Sequence, residues 1–348
     1  MNDKNLLAPS ALFRFAKISS HHSYHSYHSI IYIIFLAARP QRSGKILKHV
    51  QYRLKGWEFM RVRIFFLLLP FCLFCVAPPA GREPFFPFVS GDGFRFLADH
   101  VYDELDQAID PSKIEARAIL FVKGALLGDF FQKIHPRIPN PYLLISHNSD
   151  ESVPGPYASF LDEEKIIVWF GVNYDGYPHP KMHPIPIGLA NRCWPYGEIA
   201  ALEKTRGETH PKIHLAMMNF SIETFSPERW GVFKLFAHAP FCYRTGKKAF
   251  GHYLPDAAAS KFVISPRGFG LDTYRLWECL YLGTIPVVKT SSLDVLYEGL
   301  PVLIIPDWEA VTQMFLEEKY REMSQKMFSL EKLEMDYWIR LIEALKNA

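Results

Sequence analysis

Short apolar runs recur along the chain, separated by polar, turn-rich stretches. AILFV (118–122), PYLLIS (141–146), KIIVWFGVN (165–173), KIHLAMMNFS (212–221), KFVIS (261–265), IPVV (285–288) and LPVLII (300–305) read as strands. Their length and β-branched content fit strands covered on both faces, as in a parallel sheet. Between them the spacing of apolar positions changes to a helical period. Helices are expected from Phe94 to Leu105, from Ser226-Pro227-Glu228 onward, from Asp272 or Thr273 onward, and over most of 307–348.

The clearest unit is Lys261–Thr290, KFVISPRGFGLDTYRLWECLYLGTIPVVKT, which reads as strand, glycine turn, helix and strand. Gly268 and Gly270 permit a tight turn, and Gly283 suits the position just past a helix end. On a helical wheel Leu276, Trp277, Leu280 and Tyr281 share one arc, whereas Tyr274, Arg275 and Glu278 fall on another. A βαβ unit presents helix amides and a glycine turn at the carboxyl ends of its strands, and its natural guest there is an anion. Arg267 and Arg275 can grip phosphate oxygens, and Glu278 can accept hydrogen bonds from neighbouring hydroxyls such as those of a ribose. The bland alternative is that Arg275 and Glu278, spaced i, i+3, form a surface ion pair. The turn SPRGFGLD matches neither GxGxxG nor GxxxxGK[ST].

Taken whole, PRGFGLDTYRLWECLYLGTIPVV resembles the nucleotide-sugar motif of exostosin-like glycosyltransferases: an Arg-Gly turn, an Asp, an Arg, a Trp-Glu pair and Gly-x-Ile-Pro-Val-Val in that order. The resemblance covers about thirty residues closely and the rest loosely. It implies an α/β fold of the GT-B type, two Rossmann-like domains facing across a cleft, with the donor in the second. It also implies a nucleotide-diphosphate sugar, a uridine one by family habit, passed with inversion to a glycan or other hydroxyl acceptor. On this reading Arg267, Gly268, Gly270, Asp272, Arg275, Glu278 and Ser291 bind the donor. With no Asp-x-Asp pattern in view, no metal is expected. The alternative function is a glycan-binding or scaffold protein that keeps the fold without turnover.

Composition limits the other options. The chain has 348 residues, about half of them apolar, and a net charge of only +3, so no nucleic-acid footprint is visible. Five scattered cysteines offer no disulfide framework, and the Cys72/Cys75 pair lies in an apolar, leader-like run. Residues 1–59 include the low-complexity HHSYHSYHS. From Met60, MRVRIFFLLLPFCLFCVAPPAG has the grammar of a signal peptide or anchor, so Met60 is expected to be the true start and the secretory pathway or a membrane the destination. The remainder divides into an acceptor-side domain over 81–208 and a donor-side domain over 209–348.

In the first half, His147 and Asp150 follow the strand PYLLIS and are the candidates for the base that takes the acceptor proton, although HNSD also suits an Asx turn. Lys181, Gly188 and Arg192, in a proline-rich loop, are expected to line the cleft. His179 and His183 have metal-like spacing, but Pro178, Pro180 and Pro184 forbid the helix that spacing would need. A metal hydrolase built on His147, Asp150, His179 and His183 ranks last. In the second half Thr224 and Arg229 are expected beside the nucleotide.

Overall fold

The computed structural model describes residues 82–348. The leader reading at Met60 and the Cys72/Cys75 pair therefore lie outside the described residues. All described residues belong to one compact unit, Leu73–Ala348.

In chain order the first half contains α1 (Gly91–Phe96), β1 (His100–Tyr102), β2 (Ile119–Lys123), α2 (Leu127–Asp129), β3 (Tyr142–His147), β4 (Ile166–Gly171) and β5 (Met182–Pro184). These strands form a parallel sheet in the order β1-β2-β3-β4-β5. The linking helix α3 (Ile199–Gly207) packs on the second half. That half contains β6 (His214–Met218), α4 (Ser226–Phe236), β7 (Cys242–Arg244), α5 (Phe250–Ala258), β8 (Ser260–Ile264), α6 (Tyr274–Tyr281), β9 (Ile285–Lys289), α7 (Asp294–Tyr297), β10 (Leu303–Ile305), α8 (Gln313–Ser324) and α9 (Met335–Asn347). Its sheet is also parallel, in the order β10-β9-β8-β6-β7. The strand order reverses between β6 and β8, which is where open α/β sheets open a crevice. The first sheet follows chain order and has no such reversal.

The central unit forms as its residues dictate. Phe262, Val263 and Ile264 are fully buried, α6 follows the turn, and Gly283 ends the helix with φ +63°. The expected Phe94–Leu105 helix is a correction. Ser90 caps α1, its hydroxyl accepting from Gly93 N, and the helix stops at Phe96. Beyond it the Asp99 carboxylate takes the Ile119 amide, and the Asp103 carboxylate takes those of Leu105 and Asp106. Such side-chain acceptors compete with helix bonds, and His100–Tyr102 pair with β2 instead.

The carboxyl ends of the two sheets face one another. Asp272 N, beyond β8, donates to Asn173 Oδ1, beyond β4, at 2.9 Å, and Ser292 Oγ, beyond β9, donates to Tyr174 O at 2.5 Å. One apolar core runs across the junction, including Phe94, Phe121, Ile145, Trp277, Tyr297 and Trp338. α9 returns to the first half: Trp338 meets Phe94 edge-on, and Arg117 donates to Lys346 O. The architecture is an α/β fold of two parallel-sheet halves meeting at their carboxyl edges, which agrees with the two-domain α/β expectation.

Gly188 shows how closely the halves' connecting backbone packs. Its φ is +65°, and an added Cβ would stand 2.3 Å from Val89 O, so both strain and overlap forbid a side chain. We expect Gly188→Ala to cost about 2–3 kcal/mol in a denaturant titration. An unchanged midpoint would show that this backbone contact yields freely.

Candidate active site

The turn Pro266–Asp272 divides the expected donor residues between two places. On one side, at the carboxyl ends of β8 and β9, a cavity of about 230 Å³ is lined by Ser265, Arg267, Thr273, Lys289 and Ser291 among others. On the other side, toward the β6/β8 reversal, lie Arg229, Arg275, Glu278 and Tyr253, tied by mutual electrostatics. α6 causes the split, since Thr273 and Leu276 face the cavity while Arg275 and Glu278 project from a different face of the helix.

Three arginines crowd around this turn, and two of them spend their guanidinium bonds on neutral partners. Arg229 donates to Arg267 O at 2.7 Å, Pro266 O at 3.1 Å and Ser221 O at 2.7 Å, as well as to the Thr224 hydroxyl. It is 4% exposed. Burial, with Arg275 adding repulsion, pushes its pKa down to about 9. Arg267 donates to Phe269 O at 2.8 Å and lies over the Phe225 ring. Arg275 is half-buried, and its Nε has no hydrogen-bond partner among the described residues. Gly270 matters here because a Cβ would sit 2.8 Å from Asn173 Nδ2, whereas a Cβ on Gly268 would only touch the Arg229 guanidinium, at 3.4 Å. Gly270 thus makes room for a protein group.

Glu278 is 5% exposed, so the arc expected to meet a ligand is largely enclosed. Burial raises its pKa to about 7, against the pull of Arg275 and of the Tyr253 hydroxyl. That hydroxyl approaches Glu278 without completing a hydrogen bond. Because the folded-state pKa lies above the unfolded one, the linked stability is fully present below about pH 4.5 and is lost as pH rises through about 7. At 1.36 kcal/mol per unit this is at most about 3 kcal/mol. Glu278→Gln cannot ionise, so its stability relative to wild type should grow by about that amount between pH 4.5 and pH 8. Parallel pH profiles would show that the carboxyl is not held in its neutral form.

Other expected residues fall elsewhere. Asp272 is 3% exposed and wholly engaged by protein: it accepts from Ile187 N, Thr273 N and Trp277 Nε1, each at 2.8 Å, and faces Tyr297 OH at 3.4 Å. It joins the halves and has no free oxygen for a donor. His147 is corrected as well. It is 1% exposed, its Nε2 donates to Pro186 O at 2.9 Å, its Nδ1 accepts from Asn148 N at 2.7 Å, and burial pushes its pKa down to about 4. An imidazole so placed cannot take an acceptor proton. Asp150 is exposed, and its charge helps to raise the Tyr196 and Tyr274 phenol pKa values. Lys181 lies at the amino end of β5, bonded to Glu163 O at 2.8 Å, and so is away from the junction. Arg192 sits over Phe85 and 3.6 Å from Glu83. Thr224 steadies Arg229, and Ser291 lines the cavity.

Sequence reading missed Asn173, whose side chain clasps the turn, and Tyr253, which sits in a stretch with no recognised motif. The available hint was the place of Asn173 at the carboxyl end of the strand run KIIVWFGVN; the structure gives it a φ of +56°, a region its residue type tolerates. Among the described residues no group of three or more His, Cys, Asp or Glu is placed to hold a metal ion, and no helix is long and apolar enough to cross a membrane.

No protein-family model matches the chain, and no curated protein matches it. Among solved structures it is similar to that of a GtfA/B complex, at 9% identity and TM-score 0.35, over 68% of this chain and 59% of that one. It is similar also to apo OtsA, at 8% identity and TM-score 0.36, over 67% and 70%. An alpha-glucosyltransferase in complex with UDP-glucose and DNA containing an abasic site is a further match, at 11% identity and TM-score 0.26, over 66% and 75%. The chain spans 59% of the length of the first of these. Likeness at this level carries no functional argument.

Proposed function

We propose that the protein is a glycosyltransferase that moves a sugar from a nucleotide-diphosphate sugar, a uridine one by its resemblance to exostosin-like enzymes, to a hydroxyl acceptor with inversion. One observation carries the proposal: Arg229, Arg267 and Arg275 gather at one glycine turn on the carboxyl edge of a parallel sheet, beside a carboxyl, Glu278, whose pKa burial lifts to about 7. That concentration of positive charge favours a polyanionic guest.

The chemistry is chiefly electrostatic. The acceptor hydroxyl gives its proton to the Asp150 carboxylate as its oxygen bonds to the anomeric carbon. The bond from that carbon to the diphosphate breaks, and the diphosphate leaves with the electron pair. Arg267, which lines the cavity, and the first-turn amides of α6 stabilise the growing negative charge, and Arg275 adds its charge from the other face of the helix. Glu278 balances the Arg275 charge from its enclosed position behind the helix. Since arginines supply the charge, transfer should persist in excess chelator.

The test is a thermal-shift panel on the full chain. Nucleoside diphosphates and their sugars at about 100-fold over Kd should stabilise it by about 2.7 kcal/mol, and the free nucleosides should not. Failure of every diphosphate to stabilise would refute the proposal. The rival, a glycan-binding protein without turnover, predicts no release of nucleoside diphosphate from any donor sugar.

A further inference from the structure

The turn after Ala190 carries two large aromatic side chains into solvent. Trp194 is 49% exposed and Tyr196 41%. Their ring planes lie 4° from parallel with centroids 5.9 Å apart, an offset stack, and Tyr196 in turn meets Tyr274, the first residue of α6, at 5.8 Å. The three rings form a row from solvent to the helix that bears Arg275.

The turn is built to hold this display. Trp194 N donates to Asn191 O and Gly197 N to Trp194 O, each at 2.9 Å. A Cβ on Gly197 would fall 2.1 Å from Asn191 O, so only glycine closes the turn, and Pro195 stiffens it between the two rings. Asn191 anchors the base of the turn, accepting from Asp92 N and donating to Asn148 Oδ1, each at 2.9 Å. That second bond fixes the platform to the segment carrying Asp150, whose charge reaches Tyr196 and Tyr274.

We infer that Trp194 and Tyr196 form the acceptor subsite, and that its occupant is a neutral glycan with flat pyranose faces. This rests on the transferase reading, because it seats the acceptor beside the proposed base. Aromatic faces are electronegative, and the axial C–H groups of a β-linked pyranose are weakly positive, so the two stack. Asp150 and the Tyr196 hydroxyl accept from ring hydroxyls at the rim. The occupant is neutral because the exposed Asp150 carboxylate, whose charge reaches Tyr196, would repel an acidic chain at this rim.

The test is calorimetric titration of the full chain with cellohexaose, xylohexaose and β-1,4-mannohexaose, and separately with UDP. At least one hexaose should bind wild type, and Trp194→Ala and Tyr196→Ala should each weaken it at least about 10-fold while the UDP affinity and melting temperature hold. The inference is overturned if no hexaose binds, if both variants bind as wild type does, or if uridine binding falls with them, which would make the platform a nucleobase seat. Hexaose binding that depends on Trp194, together with no UDP binding, would sink the transferase reading and leave the platform standing.

Discussion

Arg275→Ala is expected to weaken nucleoside-diphosphate binding by about 100-fold, close to 3 kcal/mol, with turnover falling at least as far. The guanidinium acts electrostatically on both Arg229 and Glu278, and its Nε is buried without a partner among the described residues. A buried donor left open is costly unless a ligand completes it. Arg275→Lys should recover little, because an ammonium keeps the charge and loses the planar fork. The fold should tolerate the change, since this half-buried side chain makes no hydrogen bond to another described residue, and the melting temperature separates lost binding from lost structure. Unchanged affinity in a folded Arg275→Ala protein would remove this arginine from the donor site.

Asp272→Ala is expected to destabilise the protein by about 4 kcal/mol, the largest stability effect proposed for any side chain here. Removing the carboxylate strips the acceptor from the buried Ile187 amide in one half and from the Trp277 indole in the other. Neither donor has water to turn to, because the site is enclosed by Tyr297 and the junction core. Asp272→Asn should cost less, since one oxygen can still serve Ile187 or Trp277. Equal stability of Asp272→Ala and wild type in urea would show that the junction is held by apolar contact alone.

The fold was legible where its signals are local. Gly283, the prolines and the β-branched runs state their conformations within a few residues, and β3, β4, β8 and β9 fall where the pattern put them. The Phe94–Leu105 region was not, because Asp99 and Asp103 redirect backbone amides that periodicity cannot see. The glycine turn and its arginines were legible as a group, but the assignments within it were not. Asp272 and Ile187 lie 85 positions apart, and His147 and Pro186 lie 39 apart. A helical wheel ranks the faces of α6 but cannot know that Tyr253, from another helix, will enclose Glu278. Residues chosen for chemistry were thus, in two cases, spent on architecture.

The return of α9 to the first half has a mechanical corollary. The polypeptide passes from one lobe to the other twice, once through the stretch between β5 and β6 and again ahead of Met335, whose amide bonds to Pro87 O. Two covalent straps hold the lobes together at separate points, so the junction core cannot part by swinging on a single tether. Clipping the backbone between α8 and α9 would leave one strap and free the remaining motions, a difference visible as a larger radius in solution scattering.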